Sequence, residues 1–155
     1  MAESFYEKMM ALAEAERNMP ATRYLHDVEH QTQANCVAWF RWQYPKYEKL
    51  LFAVPNGGAR TKKTAGKLKA EGIVKGVADL LLLVPAGEYH GLCIEMKKEE
   101  ITYDDKGRKK VERGYQRPEQ KEWQALVEEQ GYKYVVCWNI EGFQKEVNDY
   151  LKEKK

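Results

Sequence analysis

The sequence predicts an α/β domain in which a mixed β-sheet is flanked by helices. The chain has 155 residues, which is long enough to bury one hydrophobic core without covalent cross-links. Its apolar residues follow helical spacing in some segments and form short continuous runs, typical of buried strands, in others. Helices separate some of these runs, whereas two consecutive runs are joined by a short turn. This order of elements predicts one sheet of mixed direction with helices around it.

Five segments have the apolar spacing of helices, and proline or glycine residues mark their ends. Pro45 ends the second helix, because the residue before a proline disfavours helical backbone. Gly72 suits the left-handed turn after the third helix, and Pro118 suits the first turn of the fourth. The predicted helices are residues 4–17, 28–44, 61–70, 118–130 and 140–151.

Four apolar runs have the length and composition of strands. The turn at 85–88 is short, so the strands on either side of it should pair antiparallel. A polar segment at 98–116 contains a turn signal at 104–107 and predicts an exposed hairpin. The predicted sheet strands are residues 49–54, 79–84, 90–97 and 133–138.

The composition limits the class of protein without identifying a partner. There are 26 Lys and Arg residues against 24 Asp and Glu residues, a balance too even to indicate a polyanion. Locally, residues 60–75 contain six basic side chains and one acidic one, which is typical either of a solvated helix face or of a phosphate-binding surface. The three cysteines have no zinc-site spacing, so we expect reduced thiols in the core. No segment has the pattern of a signal peptide or a membrane span, which predicts a cytoplasmic protein without a membrane partner.

Three charged residues on two consecutive predicted strands are the most informative feature of the chain. Asp79 begins one apolar run, and Glu95 and Lys97 lie two positions apart on the next. Side chains two positions apart on a strand point to the same face, roughly 7 Å from each other. Opposite charges on a strand buried on both faces are costly unless they serve a site.

These three residues allow two interpretations. In the first, Asp79 and Glu95 hold Mg²⁺ or Mn²⁺, while Lys97 orients a water molecule or stabilises negative charge, as a metal-dependent phosphodiesterase requires. In the second, Asp79 caps a strand entrance, and Glu95 and Lys97 lie on a solvated strand face. The turn at 56–58 is similarly open, since its glycines either let a phosphate approach the backbone closely or form a plain turn.

From Glu29 onward the chain resembles the VRR-NUC family, the virus-type replication-repair nucleases of the PD-(D/E)xK superfamily. The matching stretches occur in the family's order at compatible spacing. Ala78 departs from the pattern, because the family usually has Pro or Val directly before the motif aspartate. The matching stretches are Glu29–Gln33, Val37–Phe40, Pro55–Gly58, Lys67–Gly72, Gly76–Asp79, His90–Lys97 and Pro118–Trp123.

The resemblance implies a restriction-endonuclease-like core in residues 28–155, preceded by a helical extension at 1–27. It implies that Asp79, Glu95 and Glu29 are metal ligands, with Glu29 reaching the metal directly or through water. Lys97 matches the catalytic lysine, and Gln120 matches a glutamine that lies beside the site. With a nucleic acid as the implied substrate, we expect DNA contacts from Asn56, Arg60, Lys62, Lys63 and Lys67.

The resemblance further implies a Mg²⁺- or Mn²⁺-dependent endonuclease that selects DNA by structure. Stand-alone proteins resembling this family are homodimers that act on branched DNA in the manner of Holliday junction resolvases. The resemblance therefore implies a homodimer with a role in DNA repair. If the protein is encoded by a phage, we expect it to act in the host cytoplasm. Two alternatives are a flap- or end-directed nuclease and a DNA-binding module that no longer binds metal. The predicted hairpin at 98–116 carries Tyr103 and Tyr115. It has two interpretations: its basic side chains bind the DNA backbone while its tyrosines stack on unpaired bases, or it is an exposed addition without a role in binding.

Overall fold

A four-stranded sheet of mixed direction forms the centre of the protein. The computed structural model describes Glu7, residues 28–55 and residues 62–153, without the side chains of residues 28, 62 and 63. The first three strands in the sheet pair antiparallel, and the last two pair parallel, so the predicted mixed sheet is confirmed. In spatial order the strands are β1 (Leu51–Ala53), β2 (Leu80–Leu82), β3 (Leu92–Met96) and β6 (Lys133–Cys137).

Helices cover both faces of this sheet. On one face Phe40 packs with Phe143 and Tyr150 against β2 and β3. On the other face Trp123 and Val127 pack against β3 and β6. The described helices agree with the predicted ones to within about two residues, and they are α1 (Val28–Gln43), α2 (Lys62–Ala70), α3 (Pro118–Glu129) and α4 (Ile140–Lys152).

Alternation along β3 decides which side chains face which helices. All five β3 residues are buried, as expected for a strand covered on both faces. Ile94 and Met96 point into the core formed with α1 and α4. Cys93 points to the opposite face, toward α3, and Glu95 shares that face because it lies two positions further on.

The predicted strand at 49–54 is wrong over its first part. Pro45–Leu50 form a 3₁₀ helix, and β1 begins only at Leu51. Proline suits the first turn of such a helix, because its φ is already near the helical value and it lacks an N–H to satisfy. The other sheet strands are shorter than predicted, so Asp79 lies just before β2 and Lys97 just after β3.

The polar segment at 98–116 is a hairpin, as predicted. Its strands β4 (Glu99–Tyr103) and β5 (Lys109–Arg113) pair antiparallel in a separate two-stranded sheet. The Asp104 carboxylate closes the turn by accepting hydrogen bonds from the backbone N–H groups of Lys106 and Arg108, each at 2.9 Å. Most of the hairpin is exposed, and it extends from the end of β3, directly beyond Lys97.

Two further predictions concern segments that are described only in part or not at all. The predicted N-terminal helix at 4–17, apart from Glu7, and the turn at 56–58 lie outside the described residues.

The three cysteines are free and buried, as predicted. Among the described helices, none is long and apolar enough to cross a bilayer.

Candidate active site

Asp79 is held at the entrance to β2 by two backbone contacts. The Val54 N–H donates to the Asp79 carbonyl oxygen at 2.9 Å, which fixes the backbone against the end of β1. The Met96 N–H donates to Asp79 Oδ2 at 2.8 Å, which draws the carboxylate toward the end of β3. Asp79 is half-buried, so its carboxylate is oriented by the sheet while remaining accessible from one side.

Glu95 lies at the centre of a buried polar cluster on the α3 face of the sheet. Lys97 Nζ lies 2.6 Å from Glu95 Oε1, and Gln120 Nε2 donates a hydrogen bond to the same oxygen. The Tyr134 hydroxyl donates to Glu95 Oε2 at 3.2 Å. Glu95 has no solvent exposure and Lys97 only 9%, so the interpretation as a solvated strand face is wrong.

The electrostatics of the cluster place two carboxyl groups where either a proton or a cation would relieve their repulsion. Burial raises the pKa of Glu95 to about 7. The hydrogen bond from Lys97 lowers this pKa, whereas the negative charge of Asp79 raises it further. Burial also raises the pKa of Asp79, although the Met96 N–H and the Lys97 charge act in the opposite direction. The two carboxyl groups lie within hydrogen-bonding reach of each other. Two adjacent carboxylates repel unless a proton or a cation lies between them.

Asp79 and Glu95 fit a hard divalent cation by their chemistry. Mg²⁺ and Mn²⁺ prefer oxygen ligands, and Mg²⁺ is commonly held by one or two carboxylates with water completing its coordination. Glu29, the third predicted ligand, lies in the first turn of α1. Within residues 28–55 and 62–153, no group of three or more His, Cys, Asp or Glu side chains is arranged to hold a metal. The structure therefore brings Asp79 and Glu95 together, and the role of Glu29 stays a prediction.

A solved structure described as a VRR_NUC domain protein has the same architecture as this chain. The two share 27% sequence identity with a TM-score of 0.64, over 82% of this chain and 90% of that one. The chain is therefore similar to a VRR-NUC domain protein in both sequence and fold, which supports the predicted family. No protein-family model matches the sequence, and no curated protein matches it. The predicted family and the predicted fold class are thus both confirmed by structural similarity.

Gln120 is oriented in this VRR-NUC-like domain by hydrogen bonds at both ends of its amide. Its Oε1 accepts from the Arg117 backbone N–H at 2.8 Å, so its Nε2 is left to donate to Glu95. The first turn of α3 sits closely on Gly76, whose φ is +80°. A Cβ atom at position 76 would lie 2.3 Å from the Glu119 carbonyl oxygen. Gly76 therefore sets how closely Gln120 approaches the site.

Replacing Gly76 with alanine should displace the start of α3 and weaken activity. The new Cβ would collide with backbone, and alanine is strained at this positive φ. A displacement of about 1 Å near reacting groups costs roughly 10²-fold in rate, and we expect a loss of that order. The measurements are cleavage rate and thermal stability. Gly66→Ala is the matched control, because nothing lies within 4 Å of the added Cβ and alanine favours helix. Equal activity of the two variants would contradict the role of Gly76.

The raised pKa of Glu95 makes the stability of the metal-free protein depend on pH. Its pKa is about 7 in the folded protein against an ordinary value of 4.5, so the folded state binds more protons between these values. Stability should therefore fall as pH rises from about 4.5 to 7. Relative to Glu95→Gln, the wild type should lose on the order of 3 kcal/mol over this range.

Urea unfolding of both proteins in chelator at pH 4.5, 6 and 8 measures this difference. The Glu95→Gln variant serves as the reference because it keeps the size of the side chain but does not titrate. Adding Mn²⁺ at pH 8 should restore stability to the wild type, since binding to the folded state alone is stabilising. A difference between the two proteins that stays constant with pH would contradict the prediction.

Tyr134 and Gln116 are two residues of the site that the sequence did not reveal. Tyr134 pairs with Cys93 across the parallel β3–β6 contact, which places its ring on the same face as Glu95. Burial raises the pKa of Tyr134, as does the Glu95 charge, so its hydroxyl remains a donor. Gln116 hydrogen-bonds to Tyr134 and also donates to Gln124 Oε1 at 2.9 Å. In the sequence, the four-residue spacing of the glutamines at 116, 120 and 124 is the pattern that could have indicated Gln116.

The predicted DNA-binding residues are described only in part. The Lys67 side chain is exposed, and its Nζ lies 3.7 Å from a Glu71 carboxylate oxygen. Helix α2 borders a groove of about 920 Å³ whose other wall is α3, the helix that carries Gln120. Outside the described residues lie Asn56, Arg60 and the side chains of Lys62 and Lys63.

Proposed function

We propose that this VRR-NUC domain is a Mg²⁺- or Mn²⁺-dependent DNA endonuclease that selects branched DNA. The observation that carries the proposal is the buried cluster in which Glu95 contacts Asp79, Lys97, Gln120 and Tyr134. A protein that merely bound DNA would gain nothing from burying two carboxylates against each other. Nuclease activity is the function associated with the family, and the metal and the branched substrate are the proposed specifics.

The chemistry to be catalysed is hydrolysis of a phosphodiester bond. A water oxygen bonds to phosphorus, one bridging P–O bond breaks, and the leaving oxygen gains a proton. Asp79 and Glu95 would hold the cation, which when bound neutralises phosphate charge and lowers the pKa of water. The accessible side of Asp79 is where the phosphate would approach.

Lys97 supplies the positive charge of the chain itself. Its side chain is 10% exposed, so its ammonium group lies at the boundary between the buried cluster and solvent. A fixed ammonium in such a partly desolvated position stabilises charge that develops on a phosphoryl oxygen. Gln120 and Tyr134 act on Glu95: their hydrogen bonds hold both carboxylate oxygens in place before the substrate binds.

Basic side chains on two surfaces near the cluster would contact a DNA backbone. The basic helix α2 lies across a groove from α3, and the β4–β5 hairpin extends from the chain directly beyond Lys97. Lysine contacts to phosphates would supply affinity that depends on salt and not on base sequence. One site cuts one strand, so symmetric cleavage of a branched junction requires two copies, for which a homodimer is the simplest arrangement.

Cleavage of labelled linear, flap, fork and four-way junction DNA tests the proposal directly. Each substrate is incubated with Mg²⁺, Mn²⁺, Ca²⁺ or chelator, and the oligomeric state is measured by light scattering at the same concentration. We expect paired cuts in the junction, with Mg²⁺ or Mn²⁺ only, from a dimer. Full activity in chelator would overturn the metal site. Preference for flap or linear DNA would overturn the branched-DNA assignment and favour a flap- or end-directed nuclease.

A further inference from the structure

Residues 114–117, which we call the strap, connect the hairpin to α3 and pass beside the candidate site. At the hairpin end, the Gly114 N–H donates to the Lys98 carbonyl oxygen at 2.9 Å. The Gly114 carbonyl oxygen accepts from Trp138 Nε1 at 3.0 Å. A Cβ atom on Gly114 would lie 3.7 Å from the Cβ of Lys97. The strap therefore begins in contact with the backbone region of the proposed catalytic lysine.

The other end of the strap is joined to the groups that hold Glu95. The Gln116 side chain hydrogen-bonds to Tyr134, whose hydroxyl donates to Glu95. The Arg117 N–H donates to Gln120 Oε1 at 2.8 Å, and Gln120 in turn donates to Glu95. The first end of this four-residue segment is thus fixed beside Lys97, and the second end is fixed to the polar cluster.

Tyr115 lies between these fixed ends with its ring in solvent. Its exposed fraction is 89%, the highest among the large hydrophobic side chains of the described residues. Its neighbours Gly114 and Gln116 are each half-buried and hydrogen-bonded, so the backbone that carries the ring is held in place. A ring so placed contributes almost nothing to the core, and both of its faces are open to a ligand.

We propose that Tyr115 stacks on an unpaired nucleobase next to the phosphate that is cut. The inference rests on the proposed nuclease function and names a feature of its substrate. Aromatic side chains bind bases of any sequence through their π-faces, which suits an enzyme that selects by structure. A base inside a regular duplex has both faces covered by its neighbours. Tyr115 therefore favours cleavage where a base has left the stack, as at a branch, a gap or a single-stranded end.

Tyr103 provides a matched control on the same surface excursion. Its ring is also well exposed, at 68%, but it lies at the far end of β4, opposite Lys109. It lies four positions along the strand from the hairpin base at Glu99, a distance of roughly 14 Å at about 3.4 Å per residue. Removing its ring should leave base stacking beside the site intact.

Fluorescence of 2-aminopurine tests stacking without requiring cleavage. The fluorescent base is moved position by position through a gapped duplex, and the full chain is added in chelator. We expect quenching at one or two positions with wild type, Tyr115→Phe and Tyr103→Ala. The quenching should be lost with Tyr115→Ala. Equal quenching by Tyr115→Ala and wild type would overturn the proposal.

Steady-state cleavage of gapped and fully paired nicked substrates provides the second readout. Tyr115→Ala should raise KM on the gapped substrate by about 10-fold or more, with kcat changed much less, because a stacking contact contributes to binding. Tyr115→Phe should restore the wild-type KM. An equal KM increase on both substrates, or a failure of phenylalanine to restore KM, would overturn stacking on an unpaired base.

The two readouts separate this inference from the proposed function. Quenching that depends on Tyr115, with no cleavage under any metal condition, would support the stacking contact and overturn the nuclease proposal. Metal-dependent cleavage that is indifferent to Tyr115 on every substrate would support the nuclease proposal and overturn the stacking contact.

Discussion

Asp79→Asn should greatly slow DNA cleavage while leaving the fold intact. The substitution removes the negative charge that would hold the cation, yet the amide keeps an oxygen that can accept the Met96 N–H, now at 2.8 Å from Asp79 Oδ2. A metal ion contributes several kcal/mol of transition-state stabilisation. We therefore expect the rate with Mg²⁺ to fall by about 10³-fold or more. Mn²⁺ binding, measured by calorimetry, should be lost or greatly weakened.

Asp149→Asn is the control for the loss of one carboxylate. Asp149 lies on α4 and forms ion pairs with Lys145 and Lys152 on the protein surface. Its replacement should leave cleavage and Mn²⁺ affinity unchanged, since exposed ion pairs contribute little. An Asp79→Asn protein that is folded, binds Mn²⁺ normally and cuts DNA at the wild-type rate would remove Asp79 from the metal site.

Lys97→Met should lower turnover strongly without weakening metal binding. Methionine retains much of the aliphatic volume in this buried position but carries no charge. Loss of one preorganised stabiliser of transition-state charge costs about 10²- to 10³-fold in kcat, and we expect an effect of that order. Mn²⁺ affinity should stay constant or rise slightly, because the ammonium group now lies 2.6 Å from Glu95 Oε1 and competes with the cation.

Lys98→Met provides the comparison for this variant one position along the chain. Lys98 is half exposed and pairs with Glu100 at 3.2 Å. Removing its charge should change DNA affinity modestly, through its contribution to the surface potential, and leave kcat near the wild-type value. A Lys97→Met enzyme with normal kcat would mean that Lys97 only balances the charge of Glu95 and takes no part in the reaction.

The Asp79→Asn and Lys97→Met variants distinguish a loss of cation binding from a loss of catalysis after the cation has bound. Asp79→Asn changes the ligand set, so raising the Mn²⁺ concentration should recover part of its activity. Lys97→Met leaves the ligand set intact, and no concentration of metal should recover its activity. The contrast depends on the geometry of Glu95, which contacts Asp79 and Lys97 at once.

Local sequence patterns were enough to predict most elements of the fold and part of the candidate site. The two-residue spacing of Glu95 and Lys97 on a strand was enough to place both side chains on one face, because strand geometry depends only on neighbouring residues. The turn signal at 104–107 predicted the hairpin for the same reason. Gly72 and Pro118 marked helix ends correctly. These predictions agree with the structure because each depends only on backbone geometry within one turn.

The tertiary structure decided the features that depend on distant pairing. Burial of Glu95 follows from α3 packing over the sheet, and no local pattern distinguishes this from an exposed strand face. Tyr134 reaches Glu95 only because β6 pairs parallel with β3 in a register that places it opposite Cys93. Glu29 lies in the first turn of α1, and its predicted role as a third ligand depends on how that helix docks against the sheet. Such contacts depend on how separate elements dock, and docking is set by the shape of the whole core.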